Sequence, residues 1–442
     1  MALPSALLVP VLSATFFLLA CGPEAAATPL MENPASTLWM VSVDSRGNQG
    51  NGPSGEPSIS GDGRFIAFSS QASNLVGQDT NGSRDIFVHD REMGITRRVS
   101  LSSGGAQGNG SSGQPAISAD GHFVAFFSIA TNLAPGDTNG TGDVFLHELA
   151  TGLTRRVSVA SGGAQGNGFS DGPSISGDGR YVAFESSASN LVAGDNNNNT
   201  DVFVHDSLDG STIGAWANPP QLENLPGGAA AISANGLVVA FAVHLPDWAS
   251  EGALGRSQVL VHDIAAGATE LAGGEPENIF AEGAAGVLSL SADGSWVVFR
   301  SNDANLAPED TNGADDVFAI GREPYAIHRV SVDSQGNQGN GASGQPSVGG
   351  DGRFVAFWSE ASNLTPGDSN GIGDVFVHDR QTGETRRISA GPNGTQGGKL
   401  SGSPSLSSDA RFLAFESEAS NLAPGDANGQ QDVFVAENPL HR

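Results

Sequence analysis

Lysine occurs once in this 442-residue chain, at Lys399, and cysteine once, at Cys21. A single cysteine excludes an internal disulfide. Twenty basic residues stand against 48 acidic ones, a formal charge of -28. Such a balance leaves no basic track for phosphates and excludes nucleic acid as a partner. The acidic surface fits a soluble secreted protein, cation binding, or both. Residues 6–20 form an apolar run, shorter than the about 20 residues that a membrane-spanning helix needs. Helical periodicity is absent over any useful length. No Gly-x-Ser-x-Gly nucleophile elbow occurs. Glycine, by contrast, is abundant: 61 of 442 residues, about twice the usual share of ~7%. That excess points to several tight turns per structural unit.

The unit is visible as a repeat, most legible at residues 351–379, DGRFVAFWSEASNLTPGDSNGIGDVFVHD. Its acid-Gly turn, or a degenerate version, falls at Asp62, Asp120, Asp178, Asn235, Asp293, Asp351 and Asp409, with spacings of 58, 58, 57, 58, 58 and 58 residues. A period held that tightly is one structural element copied along the chain. In the copy from Gln345, a short strand ends in the turn at Gly349-Gly350-Asp351-Gly352. Residues 354–358 (FVAFW) are nearly all apolar, as suits a strand covered on both faces. A polar loop, 359–373, leads to the β-branched and aromatic run 375–377. Thr382-Gly383 then turns the chain into a fourth strand at 385–389.

Four strands per copy and seven copies predict an all-β fold, a seven-bladed β-propeller with blades of about 58 residues. Residues 38–52 (LWMVSVDSRGNQGNG) match the fourth strand and crossover at 329–341, yet they precede the first copy, while the last copy stops after its third strand at 433–435. The N-terminal strand is therefore expected to complete the last blade and close the ring. Arg97-Arg98, Arg155-Arg156 and Arg386-Arg387 fall on the outermost strands, where charge is expected to discourage edge pairing. The Ser-x-Asp-Gly-Arg-x-x-Ala-Phe core (60–68, 176–184) and the Asp-Val-Phe-Val strand (201–204, 374–377) resemble the TolB-type propeller repeat of bacterial secreted and periplasmic proteins. That resemblance implies the fold over about nine tenths of the chain and leaves function open.

Leu18-Leu19-Ala20-Cys21 resembles a bacterial lipobox. It implies a signal peptide at 1–20, a lipidated Cys21 with a linker to residue 37, and the propeller at 38–437. The implied location is the bacterial cell envelope, extracytoplasmic and lipid-anchored to a membrane, with secretion or the periplasm as the alternative.

One loop type carries candidate chemistry. Between second and third strands the chain repeats Asp79-Asn81-Asp85, Asp137-Asn139-Asp143, Asp195-Asn197-Asp201, Asp310-Asn312-Asp316, Asp368-Asn370-Asp374 and Asp426-Asn428-Asp432. Oxygen side chains at positions 1, 3 and 7 around a glycine turn can converge on Ca2+, which takes six to eight oxygens at about 2.3–2.6 Å. They can equally hydrogen-bond the backbone of a long turn. Both readings stand on sequence alone. His89, His147, His205, His262 and His378 occupy one repeated place and read as scaffold. The Gly-Asn-Gly runs at 108–110, 166–168 and 339–341 read as crossovers between blades.

The repeat breaks at residues 207–284, which lose the Asp-Asn-Asp loop and gain Trp216, Pro219-Pro220, Glu223, Trp248, Glu275, Glu277 and Glu282. Trp216, Glu223 and Trp248 are the candidate ligand-binding residues there, against a plain reading as drifted core. The functional expectation is an extracytoplasmic binding or scaffolding module for an unknown protein or glycan, calcium-stabilised if the loops hold metal. The alternative is a glycan-active hydrolase or lyase with carboxylates at the channel mouth.

Overall fold

The computed structural model describes residues 38–215, 227–244, 256–272, 280–282, 288–307, 310–322 and 324–442, all within one compact unit, Ala35–Arg442. Seven antiparallel sheets follow one another along the chain. Blade 1 comprises Ser54–Ile59, Phe65–Ser70, Asp85–Asp90 and Ile95–Arg98, and every later blade repeats that meander. The first strands of successive blades adjoin and surround the channel. The architecture is a seven-bladed, all-β propeller.

Second strands are apolar in both directions because each blade is packed from two sides. Ile66 and Phe68 join Ala414, Val433 and Val435 of blade 7, whereas Ala67 joins Val124 and Phe126 of blade 2. Alternate residues of a strand point to opposite faces, so a continuous Phe-Ile-Ala-Phe run serves two cores. Phe68 stacks on Phe87 at 5.9 Å between centroids, and Phe357 on Phe376 at 5.8 Å. Each such ring, once buried, contributes on the order of 2 kcal/mol.

The acid-Gly turn has a packing reason. Gly121 adopts φ +70, and a Cβ there would lie 2.5 Å from the Phe65 ring of the preceding blade. The same seat holds Phe123 over Gly179 and Phe412 over Gly63. Glycine thus serves both the left-handed backbone and the close approach of the neighbouring blade.

Ring closure follows the expected route. Leu38–Met40 pairs antiparallel with Asp432–Glu437 in the register Leu38↔Ala436, Met40↔Phe434. The last blade is therefore built from both ends of the propeller. Blade 4 departs from the pattern by an additional strand, Phe280–Glu282, paired with residues 256–258. The paired arginines differ from expectation. Arg97 and Arg386 are exposed, but the second member is buried, with side-chain exposures of 7% for Arg98, 6% for Arg156 and 9% for Arg387. These arginines are not edge guards; they turn inward to the Asp-Asn-Asp loops.

Candidate functional site

Antiparallel pairing places the crossovers, the second-to-third-strand loops and the starts of the first strands on one side of the ring, here the loop face. In blade 1, Asp79 and Asp85 are brought together as the spacing predicted. What lies between them is protein. Arg98 Nη1 stands 3.3 Å from Asp79 and 3.1 Å from Asp85. Gln107 Nε2, from the crossover, donates to Asp79 at 2.9 Å and to Asp85 at 3.2 Å. Ser100 Oγ donates to Asp85 at 2.6 Å. Asn81 clips the loop to the crossover by donating to Gly108 O at 3.0 Å.

The set recurs with Arg156 and Gln165 on Asp137/Asp143, Arg329 and Gln338 on Asp310/Asp316, and Arg387 and Gln396 on Asp368/Asp374. Asn139, Asn312 and Asn370 repeat the bond of Asn81 to the crossover backbone. In these four blades an arginine side chain lies beside both carboxylates, and the Asp-Asn-Asp element fastens the crossover to its own blade. Burial pushes the carboxyls of Asp143, Asp316 and Asp374 up, against the pull of their hydrogen bonds and arginine.

Two blades lack the arginine. Strand register puts Met40 in its place in blade 7 and Gly214 in blade 3. Gln49 Nε2 still bridges Asp426 and Asp432, at 2.8 and 2.6 Å. Asp426 Oδ2, however, is buried with no hydrogen-bond partner, and burial raises Asp432. In blade 3, Asn197 donates to Asp201 at 2.9 Å, and burial again raises Asp201. Among the described residues no group of three or more His, Cys, Asp or Glu side chains converges as a metal cluster.

The histidines link blade to crossover. His147 Nδ1 lies 2.8 Å from Thr154 Oγ1, and Thr154 gives its only hydroxyl proton to Leu101 O on the preceding crossover. The threonine oxygen must therefore accept, and the imidazole carries its proton on Nδ1. His89, His205 and His378 repeat this chain through Thr96, Thr212 and Thr385. Burial lowers the four imidazoles to about 4.

A second set of residues escaped the sequence reading. Within the second strands one register position, paired with a Val or Ile near the start of the third strand, varies from blade to blade: Ser69, Phe127, Glu185, Ala242, Arg300, Trp358 and Glu416. Its neighbours toward the turn are uniformly the buried Phe68, Phe126, Phe184, Phe241, Phe299, Phe357 and Phe415. Invariant packing on one side and free variation on the other is visible when the copies are laid over one another. The larger members are half-buried beside the first strands, at the loop-face end.

The first strands are bulged there, and Glu56, Gln114, Ala229, Gln345 and Ser403 take left-handed backbone angles, φ 49 to 56. Side chains of one blade receive the freed N–H groups of the next: Glu56 from Gln114 at 2.9 Å, Gln345 from Ser403 at 2.8 Å, and Glu416 from Glu56 at 2.8 Å. Arg300, Trp358 and Glu416 line one cavity of about 300 Å3 between blades 5, 6 and 7. Phe127, Arg84 and Glu56 line another between blades 1 and 2. Glu185 accepts from Ala229 N; burial raises its carboxyl to about 7, the Ala229 bond opposes, and the Asp171 charge adds to the rise. Cys21, Trp216, Glu223 and Trp248 lie outside the described residues.

No family model matches the chain, and comparison with curated proteins returns no match. Solved structures share its fold. An oligogalacturonate lyase in complex with manganese is 12% identical, with a TM-score of 0.54 over 92% of this chain and 97% of the lyase. The β-propeller domain of the Trilobed protease from Pyrococcus furiosus is 11% identical, with a TM-score of 0.55 over 87% of this chain and 95% of that domain. TolB from Acinetobacter baumannii is 17% identical over 63% of this chain, with a TM-score of 0.38. The alignment spans 54% of that TolB. The lyase and the protease domain establish a shared β-propeller architecture and nothing about activity.

Proposed function

We propose that the protein is an extracytoplasmic binding module that carries a glycan or protein ligand on its loop face, at the variable position of the second strands. One observation supports this above the others: a scaffold that repeats its packing, turns and latches leaves this position of the second strands variable, and that position opens into cavities beside the channel. Repetition serves the fold, so chemistry belongs where repetition is relaxed. The lipobox resemblance at Cys21 supports anchoring outside the cytoplasm. Calcium, in this reading, is a stabiliser confined to the two arginine-free pairs, Asp195/Asp201 and Asp426/Asp432, with Asn197 and Asn428 beside them.

The test is surface plasmon resonance of the full chain against panels of bacterial envelope polysaccharides and secreted proteins. It is repeated after residues 207–284 are replaced by the equivalent part of blade 6. Retained binding is expected, because the variable cavities remain. Loss of binding would move the site to the irregular blade and its Trp216, Glu223 and Trp248.

Glu185 favours a second reading, a glycan-active lyase or hydrolase. A carboxyl that titrates near neutrality, with Asp171 close enough to raise it further, is suited to general acid or base work. Turnover of an oligosaccharide that disappears in Glu185→Gln would establish it; a full substrate panel without turnover would remove it.

A further inference from the structure

We infer that the cavity between blades 5, 6 and 7 is a subsite for one neutral sugar ring of a glycan, with Trp358 as its stacking wall. The inference rests on the loop-face reading and adds its ligand class. The cavity measures about 300 Å3, at the lower end of ligand sites. Its apolar side is the half-buried Trp358 and Leu400, the latter 46% exposed. Its rim is polar and of mixed sign, with Arg300, Glu416, Glu418 and Gln431.

Sequence choices keep the wall in place. A Cβ at residue 373 would overlap the Trp358 indole, so Gly373 makes room for the ring against the backbone. Gly344 and Gly402 leave bare backbone at the floor of the cavity. Glu416 is already held by Glu56 N and by Ser403 Oγ, both at 2.8 Å. Gln345, which lines the cavity, has its carbonyl engaged by Ser403 N, so its amide N–H groups are the donors it has left to offer. Arg300 is tethered only loosely, 3.7 Å from Asp315. The cavity therefore offers one aromatic face, N–H donors from Arg300 and Gln345, and the Glu418 carboxylate as acceptor.

A pyranose matches that offer. Its C–H face packs on an aromatic ring, while its equatorial hydroxyls both donate and accept in the plane around it. Charge argues for a neutral sugar over an acidic one. Two glutamates share the rim with the single arginine, and the chain carries -28 overall, so an anionic ligand would meet net repulsion. A cavity of about 300 Å3 takes a single ring, whereas a protein interface spreads over roughly 800 Å2 per partner. The related site between blades 1 and 2 has Phe127 in place of the tryptophan and Arg84 paired with Glu56 at 3.0 Å, so it is the competing location for the ligand.

Isothermal titration of the full chain with cellohexaose, maltohexaose, laminarihexaose and chitohexaose, and with hexagalacturonate as the acidic comparison, tests the inference. The expected result is saturable binding of at least one neutral hexasaccharide, weakened about tenfold or more in Trp358→Ala and largely kept in Trp358→Phe. Met93→Ala, an exposed turn residue on the opposite side of the ring, is expected to bind as the wild type does. Binding that survives Trp358→Ala and Arg300→Ala but falls in Phe127→Ala would overturn this cavity and leave the loop-face reading standing. Binding of hexagalacturonate alone would overturn the neutral class. No binding of any hexasaccharide would overturn the sugar class, and protein binding in the resonance assay then decides the loop-face reading separately.

Discussion

At the level of single residues, burial decides what the titratable groups do. The His147 imidazole is neutral in the fold, with its pKa lowered to about 4 from 6.5 chiefly by burial, against the opposing charge of Glu148. A depressed folded-state pKa means that its contribution is fully present above about 6.5 and is lost as pH falls toward 4, up to roughly 3 kcal/mol for such a shift. The stability gap between wild type and His147→Gln in urea unfolding should therefore shrink steadily from pH 7 to pH 4; a constant gap would contradict the assigned neutral state. Arg156 is the second case. Its side chain is 6% exposed beside an Asp143 side chain that is fully buried. Arg156→Met should cost about 3 kcal/mol, because a pair of buried carboxylates is left uncompensated. A change within 0.5 kcal/mol would mean that Gln165 alone suffices. The scaffold role of the histidines was legible from their recurrence. The inward turn of the arginines was not, because a strand pattern alone does not say that an outer strand is roofed by a loop.

Among the elements, the second-to-third-strand loop and the crossover form a latch, and the arginine of the fourth strand completes it. The spacing of Asp79, Asn81 and Asp85 announced convergence, but the partner set came from residues far along the chain. Gln107 is a crossover residue that shows no ligand motif, so the choice between turn and cation could not be made from the loop itself. Blade 7 isolates the missing part. Met40 stands where four of the other latches carry arginine, and Asp426 Oδ2 is buried with no hydrogen-bond partner. Met40→Arg should raise the melting temperature and remove any upward shift that calcium causes at that blade. An unchanged calcium response in Met40→Arg, with Asp195→Asn in the same chain, would place the ion elsewhere. The N-terminal strand deserves a test of its own because it is the fourth strand of the last blade. A chain beginning at residue 44 should expose the edge of Asp432–Glu437 and lose cooperative melting or aggregate; an unaltered melt would show that the ring holds without the closure.

Across the whole molecule, sevenfold copying of one blade made the fold easy to read. The 58-residue period, the acid-Gly turn and the displaced fourth strand were enough to place all seven sheets and the closing strand. The candidate site was harder for the same reason. Signals that repeat draw the eye, and they proved to be latches and seats for neighbouring blades, as Gly121 is for Phe65. The residues that differ, Phe127, Glu185, Arg300, Trp358 and Glu416, share one register that becomes meaningful only when the strands are set around a channel. The most direct test compares glycan-array and protein-array binding of the wild type with Phe127→Ser/Arg300→Ser/Trp358→Ser. None of these three side chains supports the bulged first strands by a bond to the next blade. The account expects the triple variant to melt within a few degrees of wild type and to lose the ligands that wild type retains. A folded triple variant with the wild-type binding profile would contradict it.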